Sequence, residues 1–228
     1  MKIASYTIRR AAKAPSLDPA QGVPAKGWEN ADVGVIEAWH KKSKKIRPLT
    51  YFRAMYDARN LYVRFDVMDT FVKVVSTHLN DPVCEDSCVE FFVQPAPGTT
   101  YFNFEINAGG TMLLYKMIDP TIIRRKGRKS FREFEKVPEE WARQVEIRHS
   151  MPEKILKPVT GPVSWSVAYR IPLALFTACL GKCSVKKGDV WHGNFFKCGG
   201  SEHYGMWCDV GEKLNFHQPD KFGKIVFG

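Results

Sequence analysis

The chain has 228 residues and carries 34 Lys plus Arg against 24 Asp plus Glu, a formal net charge of +10. It is 44% hydrophobic and 13% aromatic, with 17 Gly and 14 Pro, which excludes collagen-like, low-complexity and coiled-coil chains. No run approaches the roughly 20 consecutive apolar residues of a membrane-spanning helix.

The length suits a single domain over residues 1–228, since all-β sandwiches routinely reach roughly 200–250 residues. Such a chain buries a core without disulfide staples, so its six cysteines are read as free thiols. The N-terminal residues lack the long apolar run of a secretory signal. A full-length chain is therefore expected in the cytoplasm, and a chain whose signal has been removed in the periplasm or outside the cell.

In chain order the strongest signals are short runs of period two, the signature of half-buried strands. Residues 61–67 alternate. Residues 87–94 stop at Pro95-Ala96-Pro97-Gly98. Residues 101–107 alternate strictly and end at Gly109-Gly110, and 112–117 is expected to pair with them as a hairpin. Further strands are expected at 141–147, 163–171, 189–197 and 222–227. Helical signal is confined to 172–176, with Pro172 in the first turn. The expected fold is all-β, an antiparallel, jelly-roll-like β-sandwich with at most one or two short helices. Two basic stretches, 41–47 and 124–132, read as loops. Each fits a solvated face, or attraction to an anionic polymer, whether acidic polysaccharide or nucleic acid.

Alternation assigns faces. Phe102, Phe104 and Ile106 turn toward a core, and Tyr101, Asn103, Glu105 and Asn107 turn away. In 87–94, Val89, Phe91 and Val93 oppose Glu90, Phe92 and Gln94. If the two strands pair, carboxylates, amides and aromatics share one face. Such a face suits sugars, whose vicinal hydroxyls take paired hydrogen bonds while the ring stacks on Trp or Tyr. An ordinary solvated sheet face has the same composition. Near the C-terminus, Asn194 and Lys197 differ in strand parity, so both reach one site only across a bulge. Tyr204 and Trp207 are expected on a following loop, where Trp207 is either a stacking platform or a lid on the core.

The segments 61–65, Asp86-Ser87-Cys88-Val89-Glu90-Phe91-Phe92, 101–107, 194–199 and Asn215-Phe216-His217 occur in the order and spacing of one known family. From Trp28 to Gly223 the chain resembles the family-9 carbohydrate-binding modules, specifically their divergent stand-alone group. The resemblance implies a β-sandwich that binds sugars without catalysis, and a structural calcium. It places Glu90 at the family's acid, Asn194 at its late-strand amide and Trp207 at one of two Trp that clamp a sugar. Val83-Cys84-Glu85 stands where the other Trp is expected, and Glu105 stands where an Arg is expected.

The expected ligand-binding set is therefore Glu90, Gln94, Asn103, Glu105, Asn107, Asn194, Lys197, Tyr204, Trp207 and Arg64. The expected partner is a poly- or oligosaccharide, acidic if the basic stretches take part. Asn80, Asp81, Glu85 and Asp86 place four oxygen donors within seven residues, a candidate calcium set. Cys198, His203, Cys208 and His217 do not have zinc-knuckle spacing, and Met206 with His203 is a weak candidate for haem ligation. Glu90 with Glu105 leaves open a glycosidase reading, though binding is preferred. Nucleic acid is disfavoured because no recognised nucleic-acid fold is evident.

Overall fold

Strands dominate, as the alternation requires. The structure, a computed structural model, describes residues 3–19, 25–199 and 202–228. Its strands are β1 (Ser5–Arg10), β2 (Gly34–Val35), β3 (Ala38–Trp39), β4 (Leu49–Tyr56), β5 (Asn60–Val74), β6 (Ser87–Gln94), β7 (Tyr101–Asn107), β8 (Met112–Arg125), β9 (Arg128–Lys136), β10 (Glu146–His149), β11 (Ile155–Pro172), β12 (Val190–Gly199), β13 (His203–Met206) and β14 (Gly223–Phe227). Two short helices accompany them, α1 (Glu139–Ala142) and α2 (Leu173–Leu180).

The strands form a β-sandwich. One layer runs β10-β11-β5-β4 and the other β14-β12-β6-β7-β8-β9. β1 joins them: residues 5–8 pair with 224–227 of β14, while Arg9 and Arg10 pair with Met55 and Tyr56 of β4. Both pairings are parallel, an exception to the antiparallel ladders elsewhere.

The core lies between the layers and is rich in aromatics. Phe195 of β12 stacks on Phe52 of β4 at 3.8 Å between ring centroids, and on Phe91 of β6 at 4.6 Å. All three are fully buried. Each such ring contributes roughly 1.5–3 kcal/mol by leaving water, and truncating one to Ala costs about 3–5 kcal/mol. β2 crosses this cluster closely: a Cβ at Gly34 would lie 2.0 Å from the Phe52 ring, so only glycine fits there.

Three sequence expectations change. The stretch 124–132 is not a loop but the tip of the long β8–β9 hairpin. Its turn is Lys126-Gly127, both at positive φ (47° and 77°), the two-residue geometry whose twist matches the flanking strands. Residues 141–147 divide into the end of α1 and the start of β10, because Pro138 opens a helical turn in which Trp141 packs against the core. Finally, β13 occupies part of the expected C-terminal loop and pairs with both β12 and β3.

Candidate functional site

The site grows from the outward face of β6, β7 and β12. Register places Glu90 opposite both Glu105 and Phe196, and Cys88 opposite both Cys198 and Asn107. The inward residues Val89, Phe91, Phe104 and Phe195 belong to the core. The outward residues therefore share one surface.

That surface has two halves. Over one half, segment 207–222 folds back and buries a second apolar cluster of Phe92, Tyr101, Phe196, Met206, Val210 and Phe222. The other half stays open as a cavity of about 760 Å³, within the roughly 300–1,000 Å³ common for small-molecule sites. Glu90, Asn103 and Glu105 form its polar floor. Tyr115 of β8, Phe131 of β9, Tyr204 of β13 and the segment Leu214–His217 wall it, with Lys73, Cys84, Glu85, Leu113 and Cys198 completing the lining.

Hydrogen bonds fix the floor. Asn103 Nδ2 donates to Glu105 Oε1 at 2.7 Å, and Asn103 Oδ1 accepts the Tyr115 backbone N–H at 3.1 Å. Cys198 Sγ donates to Glu90 Oε1 at 3.0 Å. Burial pushes the Glu105 carboxyl up to about 7, against a lowering by the Asn103 hydrogen bond. Glu90 is driven well above the usual carboxylate range by burial first, then by Cys198 and Glu105. A protonated carboxyl both donates and accepts, so the floor offers hydroxyl-bearing ligands both kinds of partner.

The walls are held as firmly. Phe216 stacks on Phe196 with centroids 4.2 Å apart and planes 13° from parallel. His217 Nδ1 lies 2.7 Å from Tyr101 Oη and its ring 4.3 Å from Phe131. Burial lowers His217 to about 3, so its imidazole is neutral near neutral pH.

Of the ten expected ligand residues, Glu90, Asn103, Glu105 and Tyr204 line the cavity. The other six are elsewhere. Lys197 has core parity with no bulge, and its Nζ lies between the layers 3.4 Å from Asp69 and 5.5 Å from the Trp165 ring. Asn194 holds Cys208, donating to its carbonyl at 2.9 Å and accepting its N–H at 2.8 Å. Asn107 donates to Ser76 O and to Asp86 Oδ2. Gln94 donates to Gly98 O. Arg64 faces outward on the opposite layer and pairs with Asp66. Trp207 meets Tyr6, Phe52 and Phe195 edge-on, so it is a lid on the core rather than a platform.

The calcium set does not converge. Asp86 takes the N–H groups of Val75 and Ser76, Asp81 those of Thr77 and His78, and Asn80 that of Leu114. Their oxygens organise the turn, Glu85 lines the cavity instead, and no common point lies within reach of Asp81, Glu85 and Asp86 among the described residues. This set does not fit calcium. The quartet Cys198, His203, Cys208 and His217 is likewise dispersed: His203 Nε2 contacts Ile46 O, and His217 contacts Tyr101. Met206 Sδ accepts the Val210 N–H inside the second apolar cluster, away from a haem-ligand role.

Tyr115, Phe131 and Phe216 are cavity residues that the sequence reading did not single out. Phe216 sits in the Asn215-Phe216-His217 segment, an aromatic among polar residues before the final strand. Tyr115 belongs to the outward parity of β8 set by its Asn103 partner. Both signals lie in the sequence; Phe131 has none, because the basic stretch around it has the composition of a loop.

Comparison with known proteins agrees with this architecture. The sequence model of carbohydrate-binding family 9 matches residues 27–227, and the chain belongs to that family. A search of curated proteins finds no match. Among solved structures, the chain is similar to a candidate carbohydrate-binding protein from Bacteroides uniformis ATCC 8492, with 25% identity, full coverage of both chains and a TM-score of 0.79. It also has the fold of a family-9 carbohydrate-binding module from Caldicellulosiruptor kristjanssonii. That module was solved with glucose (12% identity, 99% and 96% coverage, TM-score 0.62) and with cellotriose (13%, 98% and 93%, 0.61).

Proposed function

We propose that the chain binds a saccharide in the cavity over β6, β7 and β12, without catalysis. The observation that carries this reading is the polar floor of Glu90, Asn103 and Glu105 enclosed by aromatic side chains, in a chain of carbohydrate-binding family 9. Modules of that family are non-catalytic binding domains, and the Caldicellulosiruptor module was solved with glucose and cellotriose. Glu90 and Glu105 take ring hydroxyls, Asn103 orients Glu105, and Phe216 and Tyr115 offer apolar faces to the ring.

The two carboxyls rise side by side from one floor. Membership of a family of non-catalytic binding domains, rather than this placement, supports binding over hydrolysis.

The β8–β9 hairpin refines the ligand. Six of its nine tip residues from Arg124 to Arg132 are Lys or Arg, and Phe131 on the same hairpin reaches the cavity wall. Neighbouring residues of a bound chain would pass this arm, which favours an oligosaccharide bearing uronate or other anionic groups outside the cavity. The floor carboxyls disfavour an anion inside it.

Isothermal calorimetry against neutral cello-oligosaccharides and oligogalacturonates tests the reading. Binding to at least one set, weakened in Glu105→Ala and in Phe216→Ala with the fold intact, is the expected result. Absence of binding to both sets, or release of reducing ends on incubation, would overturn it.

A further inference from the structure

We propose that Cys88, Glu90 and Cys198 form a binding site for a thiophilic divalent cation, zinc, set into the floor of the cavity. Cys88 and Cys198 are direct partners across the β6–β12 ladder, and Glu90 lies two residues from Cys88 on the same face. One sulfur or oxygen from each of the three falls within 4.8 Å of the others. All three residues are buried on paired strands, so the ladder itself holds the donor set.

The donor types select the ion. Two sulfurs and one carboxylate suit zinc, whose bonds are about 2.3 Å to thiolate and about 2.0–2.2 Å to carboxylate oxygen. Calcium and magnesium require hard oxygen donors throughout, which this set lacks. Three protein donors would leave a fourth position for water, and two of the three, Glu90 and Cys198, line the cavity. Binding releases a proton from each thiol, and from Glu90 when it is protonated. Two thiolates and one carboxylate then surround the dication, leaving one net negative charge. The Cys198 thiol already turns toward this donor set, donating to Glu90 Oε1 at 3.0 Å and lying 3.6 Å from Cys84 O.

This inference does not depend on the saccharide reading, and its test uses no sugar. Fully reduced protein is titrated with Zn²⁺ against a chromophoric chelator and, separately, with Cd²⁺, whose thiolate bonds give an ultraviolet charge-transfer band. Expected are one ion per chain, loss of the band in Cys88→Ser and in Cys198→Ser, and weakening in Glu90→Gln beyond the roughly 10–100-fold typical of losing an outer-shell partner. The Cys179→Ser/Cys183→Ser variant keeps full binding, because those thiols lie at α2 and beyond it. If the serine variants fail to fold, X-ray absorption of the zinc-loaded wild type decides, with two sulfur neighbours at about 2.3 Å expected. A shell of oxygen and nitrogen alone, the absence of a thiolate band, or a band that follows Cys179 and Cys183 would overturn the assignment.

Discussion

Two groups of buried ionisable side chains lie on opposite faces of the same layer and settle the cost of burial in different ways. On the inner face, Lys197 meets Asp69 of the other layer, both side chains fully buried. Opposite charges at this distance compensate each other's burial. On the outer face, Glu90 and Glu105 are direct cross-strand neighbours of like charge potential. Neither forms an ion pair among the described residues, and burial raises both carboxyls, which favours keeping their protons. The inner pair ties the layers together, whereas the outer pair makes a surface that can exchange hydrogen bonds with a ligand.

The largest effect expected from this contrast is on the inner pair. Lys197→Met strands a buried carboxylate and should cost about 3–5 kcal/mol in urea unfolding. The double variant Lys197→Met/Asp69→Leu should recover most of that loss. A single variant within 1 kcal/mol (roughly the value of an exposed pair) would show that the two charges are not buried together.

The outer pair predicts a pH dependence of the opposite kind to ordinary salt-bridged acids. The folded value of Glu105 is about 7 against an ordinary 4.5. Its contribution to stability is fully present below pH 4.5 and is lost as pH rises to about 7, because the folded state holds a proton that the unfolded chain releases. Glu105→Gln should therefore gain stability over the wild type across that window, by on the order of 3 kcal/mol, and level off above it. Parallel stability curves for the two proteins would contradict a raised Glu105.

A smaller effect separates wall from lid. Phe216→Ala should weaken saccharide binding by about tenfold, or about 1.4 kcal/mol. Trp207→Phe should lower the melting temperature and leave the affinity unchanged; a larger affinity loss for Trp207→Phe than for Phe216→Ala would reverse the two assignments. The smallest expected effect concerns the basic arm. Arg128→Glu with Lys129→Glu should cut affinity for oligogalacturonate a few-fold at low salt, with the difference vanishing at high salt and absent for neutral oligosaccharides. Equal losses for neutral and acidic sugars would remove the arm's electrostatic role.

Much of the fold is legible in the chain. The runs 61–67, 87–94 and 101–107 lie inside β5, β6 and β7, because alternation of apolar and polar side chains matches the pleat directly. β4 is less legible: Thr50, Phe52, Ala54 and Tyr56 are buried in phase, but Arg53 and Met55 between them are buried too, which blurs the alternation. The β8–β9 arm has the composition of a loop because its strands are basic and mostly exposed. Hairpin pairing and the Lys126-Gly127 turn hold it as strand, rather than a buried face.

For the site, strand parity alone placed Glu90, Asn103 and Glu105 together, and parity is a local property that survives any rearrangement of loops. It put Gln94, Asn107 and Asn194 on the same face too, yet these are spent on turns and on anchoring Cys208. Which part of a polar face stays open depends on where segment 207–222 folds back, and that is a matter of apolar packing between residues far apart in the chain. The same packing turned Trp207 inward onto Phe52 and Phe195 and brought Tyr115, Phe131 and Phe216 to the cavity. The sequence by itself determined the strands and the faces of the site. Only the tertiary structure decided which groups on those faces meet a ligand, because covering one half of a sheet and leaving the other open is the outcome of long-range contacts that no local pattern records.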